Sequence, residues 1–372
     1  MKTIRRLIYG EILLTTGFVL LAFLALFFFF DFVEELPALG RPSRLEPNVV
    51  YELRHAFLYV GLLIPNRIYQ LLPISVLIGS VAVMARLAKG SEYTILRTSG
   101  LGPWRALYTL LGLGMVFVVI TFAVGDYAAP LADKTAQLLK ARYQGRISLG
   151  QTGAWLKEKQ DDSSFSVNVG SLSPQGTLGE VRIFEFDNKG KLKSTLEAQS
   201  GQIAQDQTWM LNDVQRKTFE GTNVRSSRIV QSTLPSFRWP SSISAEMVSV
   251  ALLQPERMRT TDLYAYISHL NKNSQTAQRY EIEFWRKVFY PLSCLVMVVL
   301  ALPFAYLHFR TGGITGYVFG GVMIGISFFL LNNVFGYIGN LNQWRPWLAA
   351  ASPALIYSVI SLGAFGWMVL RR

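Results

Sequence analysis

The chain has 372 residues, 51% of them hydrophobic and only 16% charged. An average soluble domain carries roughly 25% charged residues, so this balance suits a chain divided between lipid and water. The net charge of +12 does not point to nucleic acid, because the basic residues cluster beside apolar stretches, where they orient spans or meet anionic lipid. The single cysteine, Cys294, excludes an intrachain disulfide.

A helix crossing about 30 Å of hydrocarbon needs roughly 20 mostly apolar residues. Ile12–Phe30 is an uncharged stretch of that size, preceded by Lys2, Arg5 and Arg6. It is too long for a removable signal peptide and lacks a small-residue cleavage site, so it reads as a retained span. The second stretch runs from Ala56 to Ala88, and Pro65, Asn66, Arg67 and Pro73, which interrupt its outer part, predict a kinked or broken helix. A third span fits Ala106–Gly125, followed by Asp126; the remaining three fit Val288–Leu307, Ile314–Tyr337 and Trp347–Leu370. Trp104, Trp285, Trp347 and Trp367 fall near the ends, where amphipathic rings favour the interface.

Lys and Arg in the short connections set orientation. Lys2, Arg5, Arg6, Arg86, Lys89, Arg97, Arg105, Arg310, Arg371 and Arg372 fall on one side. The opposite side has Asp31, Glu34, Glu35, Arg41, Arg44, Glu46, Glu52 and Arg54 in one loop and Arg345 in another. The first side is therefore expected to be cytoplasmic, with both termini inside and the segment between the third and fourth spans outside.

That insert alternates as strands do, in Ser164–Val169 and again in Val181–Phe186, with turn signals at Asp187-Asn188-Lys189-Gly190 and Ser173-Pro174-Gln175-Gly176. Strands at this spacing predict a sandwich, jelly roll or open barrel. A helix is expected over Thr261–Lys272, with Thr260 or Thr261 as its N-cap. The predicted division is 1–144 for three transmembrane helices, 145–258 for the β domain, and 259–372 for a connecting helix and three more spans.

No phosphate-gripping loop is present, and His55, His269 and His308 are too scattered for a catalytic or metal site. No catalytic residue, metal or cofactor is therefore assigned to this chain. The spans hold few charges, so an ion-driven carrier is the weakest reading. Arg67 either faces a transport path or snorkels to headgroups. The segment Ser91–Gly100 predicts a short amphipathic helix near 90–100, N-capped by Ser91 and closed by Gly100. It is either an interfacial connector or a ridge that docks in a partner's groove through Glu92, Tyr93 and Arg97. In the fifth span Gly316/Gly320 and Gly321/Gly325 are small-xxx-small pairs that permit close helix packing, within this chain or against another.

Four stretches together resemble the lipopolysaccharide-export permeases of the LptF/LptG family. They are Ser91-Glu92-Tyr93-Thr94-Ile95-Leu96-Arg97-Thr98-Ser99-Gly100, Asp31-Phe32-Val33-Glu34-Glu35-Leu36, Gly125-Asp126-Tyr127-Ala128-Ala129-Pro130, and Arg279-Tyr280 with Phe284–Ser293. The second stretch is closer to the LptG than to the LptF branch. The resemblance implies six transmembrane helices plus a periplasmic all-β jelly-roll-like domain in a bacterial inner membrane. It also implies an LptF-type permease partner and a cytosolic LptB-type ATPase dimer, which would hold the ATP and Mg. A periplasmic bridge of LptC/LptA type and lipopolysaccharide as cargo complete the expected partners.

On that resemblance Glu92, Tyr93 and Arg97 would couple to the ATPase. Lys140 matches a basic position of the family, while Lys134, Arg67 and Arg54 are assigned to lipid headgroups by depth alone. Gly316, Gly320, Gly321 and Gly325 would serve a lateral gate. One departure stands out. Where some relatives have lysines after the first span, this chain has Asp31, Glu34 and Glu35, so the partner permease is expected to supply phosphate contacts there. The alternative is a membrane-anchored scaffold whose β domain binds a ligand.

Overall fold

The protein is seen as a computed structural model. It describes residues 2–42, 50–98, 100, 102–144, 153–160, 163–173, 176–204, 208–220, 228–244, 247–248, 255–273, 275–306 and 314–370. His308, Arg310, Arg371, Arg372 and the middle of the Ser173–Gly176 turn lie outside that set. The chain forms two compact units, one from residues 1–34, 60–132 and 278–372, the other from 35–59 and 133–277.

Six helical stretches among the described residues are long and apolar enough to cross a membrane, as the sequence predicts. The long helices are α1 (Lys2–Glu35), α2 (Leu53–Lys89), α4 (Pro103–Ala123) with α5 (Ala129–Gln144), α7 (Gln278–Leu300), α8 (Ile314–Leu341) and α9 (Pro346–Leu370). Two shorter ones are α3 (Glu92–Thr98) and α6 (Thr260–Lys272).

In the first unit α2 is central: every residue from Leu71 to Val81 is buried, which is what apolarity all round a helix dictates. Leu77, Val81 and Met84 pack with Leu110, Leu113 and Phe117 of α4 and with Cys294, Met297 and Val298 of α7. Of the kink or break expected at Pro65 and Pro73, the break does not occur; both lie inside one continuous helix. Its packed surroundings explain this, since neighbouring spans can answer backbone groups that proline frees. The Tyr290 hydroxyl also donates to the Gln70 carbonyl at 2.6 Å, tying α7 to α2 about one turn before Pro73.

The third span runs further than Gly125, through a π-helical turn over Val124–Ala128 and on into α5. A π turn widens the backbone and often marks a functional position. The Gly125 carbonyl in that turn accepts from Lys287 Nζ at 3.1 Å, and the buried ammonium also lies 5.9 Å from the centre of the Tyr69 ring. Next to Lys287 on α7, Arg286 donates to Glu283 at 2.6 Å, to the Asn332 carbonyl at 2.8 Å and to Asn333 Oδ1 at 3.1 Å. One face of α7 thus reaches α2, the π turn and α8 by hydrogen bonds.

The second unit carries six antiparallel strands in sequence order: β1 (Ala154–Gln160), β2 (Ser163–Leu172), β3 (Thr177–Asp187), β4 (Leu192–Ile203), β5 (Thr208–Glu220) and β6 (Arg228–Pro240). Buried residues meet in rows across the sheet. Val169 pairs with Val181, Val181 with Ala198 and Ala198 with Val214, and such cross-strand contacts fix the register. The Asp187–Gly190 turn forms as its residues predict, with Gly190 at φ +75° and Asp187 Oδ1 accepting from the Lys189 and Lys191 amides.

The sheet curls until the end of β6 meets β1. Gln160 donates to the Pro240 carbonyl at 2.9 Å, and the buried Glu158 carboxylate accepts from Ser241 Oγ and the Ser242 amide, both at 2.6 Å. The edge of β1 is capped by side chains, Gln275 and Asn273 accepting from the Lys157 and Lys159 amides. Helix α6 starts at Thr260, with Arg259 rather than a threonine in the N-cap position and no side-chain cap.

A Cβ on Gly125 would lie 2.3 Å from Tyr69 Cδ2, so Gly125→Ala should lower the thermal midpoint of the full chain in detergent, at a cost of about 1–3 kcal/mol. Tyr69→Leu added to it should restore part of the loss. His269 offers a pH test. Burial lowers its pKa from the ordinary 6.5, opposed by the Glu158 charge and reinforced by Lys272. A depressed folded value means that the unfolded chain binds the proton first, so this contribution is intact above about 6.5 and is lost as pH falls below it. Melting curves from about pH 7.5 to 5.5 should show a decline that His269→Gln flattens.

Candidate functional site

Helix α3 stands between α2 and α4 with two faces. Tyr93 is 3% exposed and its ring meets that of Tyr306 edge to face, 5.0 Å between centroids. Leu96 packs beside it against the same core. Burial above all raises the Tyr93 pKa, so the phenol stays protonated. Glu92, Ile95, Arg97 and Thr98 are exposed. Of the three residues assigned to coupling, then, Glu92 and Arg97 face out and Tyr93 faces in as the anchor. Ile95, absent from that set, is 62% exposed and supplies an apolar point between the two charges. Ser91 takes φ +57° rather than an extended N-cap conformation, and its carbonyl accepts from the Ile95 amide. Gly100 closes the segment at φ +99°, a conformation suited to glycine, and its carbonyl accepts from Arg105 Nη1 at 3.2 Å.

The four basic residues assigned to headgroups divide between the units. In the first, Arg67 grips Asp31 of α1 with two parallel bonds, Nε to Oδ2 at 3.0 Å and Nη2 to Oδ1 at 2.5 Å, and lies 4.8 Å from the centre of the Phe27 ring. In the second, Lys140 binds Glu35 at 3.2 Å and lies 4.6 Å from the centre of the Tyr59 ring. Arg54 pairs with Glu52 on the surface at 2.9 Å, an exposed contact worth little. Lys134 is exposed, with no ion pair to it among the described contacts. The acidic stretch after the first span therefore supplies counter-charges to Arg67 and Lys140. Sequence reading misses this because the partners lie 36 and 105 residues apart.

The glycines of α8 also divide. A Cβ at Gly325 would meet Ile74 Cγ2 at 2.8 Å, and one at Gly321 would touch Val81 at 3.5 Å, so this pair serves packing onto α2. Gly316 and Gly320 face open space, beside exposed Phe319 and Met323. No group of three or more potential metal ligands occurs among the described residues.

A model of the lipopolysaccharide export system permease LptF/LptG family matches residues 6–371. The lipopolysaccharide export system permease protein LptG of Escherichia coli strain K12 is 26% identical over 344 residues, which is 92% of this chain and 90% of that protein. The LptG protein of Haemophilus influenzae is 25% identical over 374 residues, spanning 100% of this chain and 99% of its own length. With the six apolar helices and the β domain set between the third and fourth, these matches agree along the whole chain: it belongs to the LptF/LptG family of lipopolysaccharide export permeases, on the LptG side.

Proposed function

We propose that the chain is the transmembrane subunit of an ATP-driven exporter, paired with a related LptF-type permease and powered by a separate cytosolic ATPase dimer. The observation that carries this reading is α3: a short helix anchored by Tyr93 in the core of the spans, with Glu92, Ile95 and Arg97 turned outward. An exposed acid, an apolar point and an exposed base suit a groove on a partner, where the charges fix orientation and the isoleucine fills a pocket. Force applied at that face passes through the Tyr93–Tyr306 contact into the spans.

In this reading both termini and α3 lie in the cytoplasm and the β domain lies in the periplasm, as the distribution of Lys and Arg favours. The cargo is lipopolysaccharide drawn from the outer leaflet of the inner membrane. Arg67, Lys140, Lys134 and Arg54 meet its phosphates. The β domain hands it to an LptC/LptA-type bridge. Nucleotide and Mg reside in the ATPase, and this chain contributes no catalytic group.

Glu92→Ala combined with Arg97→Ala should reduce the ATPase recovered with the purified permease pair roughly tenfold or more, since a charged hydrogen bond is worth about 1.5–3 kcal/mol. Membrane insertion and the melting point of the chain should not change. Tyr93→Ala should do the reverse first, lowering the melting point through loss of a buried ring, about 3 kcal/mol or more. Full ATPase recovery with the double variant would sink the coupling assignment.

A further inference from the structure

The two halves of α1 are held in different ways. Ile8, Ile12 and Thr16 form one buried stripe at four-residue spacing, and a Cβ at Gly79 of α2 would come within 2.8 Å of the Thr16 backbone. From Gly17 to Glu34 no side chain is buried. Within that stretch the Asp31 carboxylate takes both arms of Arg67, and Phe27, one turn earlier, lies under the guanidinium. The Arg67 side chain is 30% exposed and the Asp31 side chain 11%, so the pair is open to a ligand from one side.

We propose that Arg67 is a phosphomonoester site for which Asp31 is the resident competitor, so that the pair selects lipids with a terminal phosphate and loosens α1 between Thr16 and Glu35 when one binds. This rests on the export reading above and names the chemistry that the site selects. A guanidinium fork accepts a carboxylate or a phosphate in the same two-point geometry. Charge decides between them. A phosphomonoester carries about −1.5 to −2 near neutral pH, against −1 for the carboxylate. A phosphodiester has two of its oxygens esterified and carries a single charge, so it gains nothing over Asp31. Ordinary diester phospholipids, the bulk of the surrounding leaflet, are thereby refused, and a headgroup with terminal phosphates is admitted.

The exchange also has a mechanical result. Once phosphate holds Arg67, Asp31 is a partly buried carboxylate without its cation, which is unfavourable until it reaches water. Between Gly17 and Glu34 no side chain of α1 is buried, so this stretch can shift to expose it while Thr16 at one end and Glu35, buried and bound to Lys140, at the other stay held.

The test uses the full chain in its assembled complex, in phosphatidylcholine nanodiscs, with a spin label on Phe30→Cys. Phe30 is exposed and Cys294 is buried, so one site of this chain reacts, and reactive cysteines of the partner chains are first replaced by serine. Phosphatidic acid and lipopolysaccharide should raise label mobility; phosphatidylglycerol and dephosphorylated lipopolysaccharide should need about tenfold more or fail, as a charge-selective site requires. Asp31→Asn should give a mobile label at the outset and narrow the preference for phosphatidic acid over phosphatidylglycerol to about threefold or less. Arg67→Lys keeps the charge and loses the fork, so it should assemble normally with a weakened preference. An unchanged preference in both variants overturns the proposal, and so does a wild-type label that phosphatidylglycerol moves equally. Release by inorganic phosphate alone would assign the site to a soluble anion and overturn the lipid source. If wild type responds to phosphatidic acid but ignores lipopolysaccharide in any form, the export reading fails while the selective site stands.

Discussion

A lysine ammonium buried among helices needs oxygen partners from the protein, and the Gly125 carbonyl that Lys287 binds ties α7 to the third span. Leaving such a charge unpaired costs several kcal/mol, so the backbone must yield a carbonyl. The π turn over Val124–Ala128 does so, presenting the Gly125 carbonyl to Lys287 Nζ. That presentation requires glycine, because the Tyr69 ring lies against the position where a Cβ would be. With Arg286 bound to the α8 carbonyl of Asn332 and Tyr290 bound to α2 at Gln70, one face of α7 fixes three other elements at a common level.

Around this fixed level the remaining parts are held more loosely or by side chains that can change partners. Helix α3 rests on Tyr93 and Leu96 and keeps its charges outside. The Gly316/Gly320 side of α8 is left open while Gly321 and Gly325 are consumed by α2. Small residues on that open side would let another helix approach closely without disturbing the core.

The span count and the β insert were legible in the sequence because both rest on local signals, apolar length and period-two alternation. The outward Glu92 and Arg97 follow from local spacing too. Tyr93 misled, since a tyrosine between two charges reads as surface until its neighbour Tyr306, more than two hundred residues on, is known. The prolines of α2 do not break it, for a related reason: their local preference to end a helix is overridden by a packed environment. Asp31 and Glu35 were legible only as a missing basic cluster, because an ion pair across 36 or 105 residues leaves no periodicity to read. Lys287 and Glu283 sat in plain view at the start of a span, but hydropathy treats such residues as flanks, and only packing shows them buried.

Helix α1 is gripped at Thr16, at Asp31 fifteen residues later and at Glu35 one turn beyond, so the first two grips stand about 22 Å apart at 1.5 Å per residue. A tilt of about 10° about Thr16 carries Asp31 sideways by about 4 Å, close to the roughly 3.5–4.0 Å separation of two carbon atoms in contact. A helix of this length would convert the proposed exchange of one carboxylate for one phosphate into a displacement of one atomic layer, enough to open or close a packed contact.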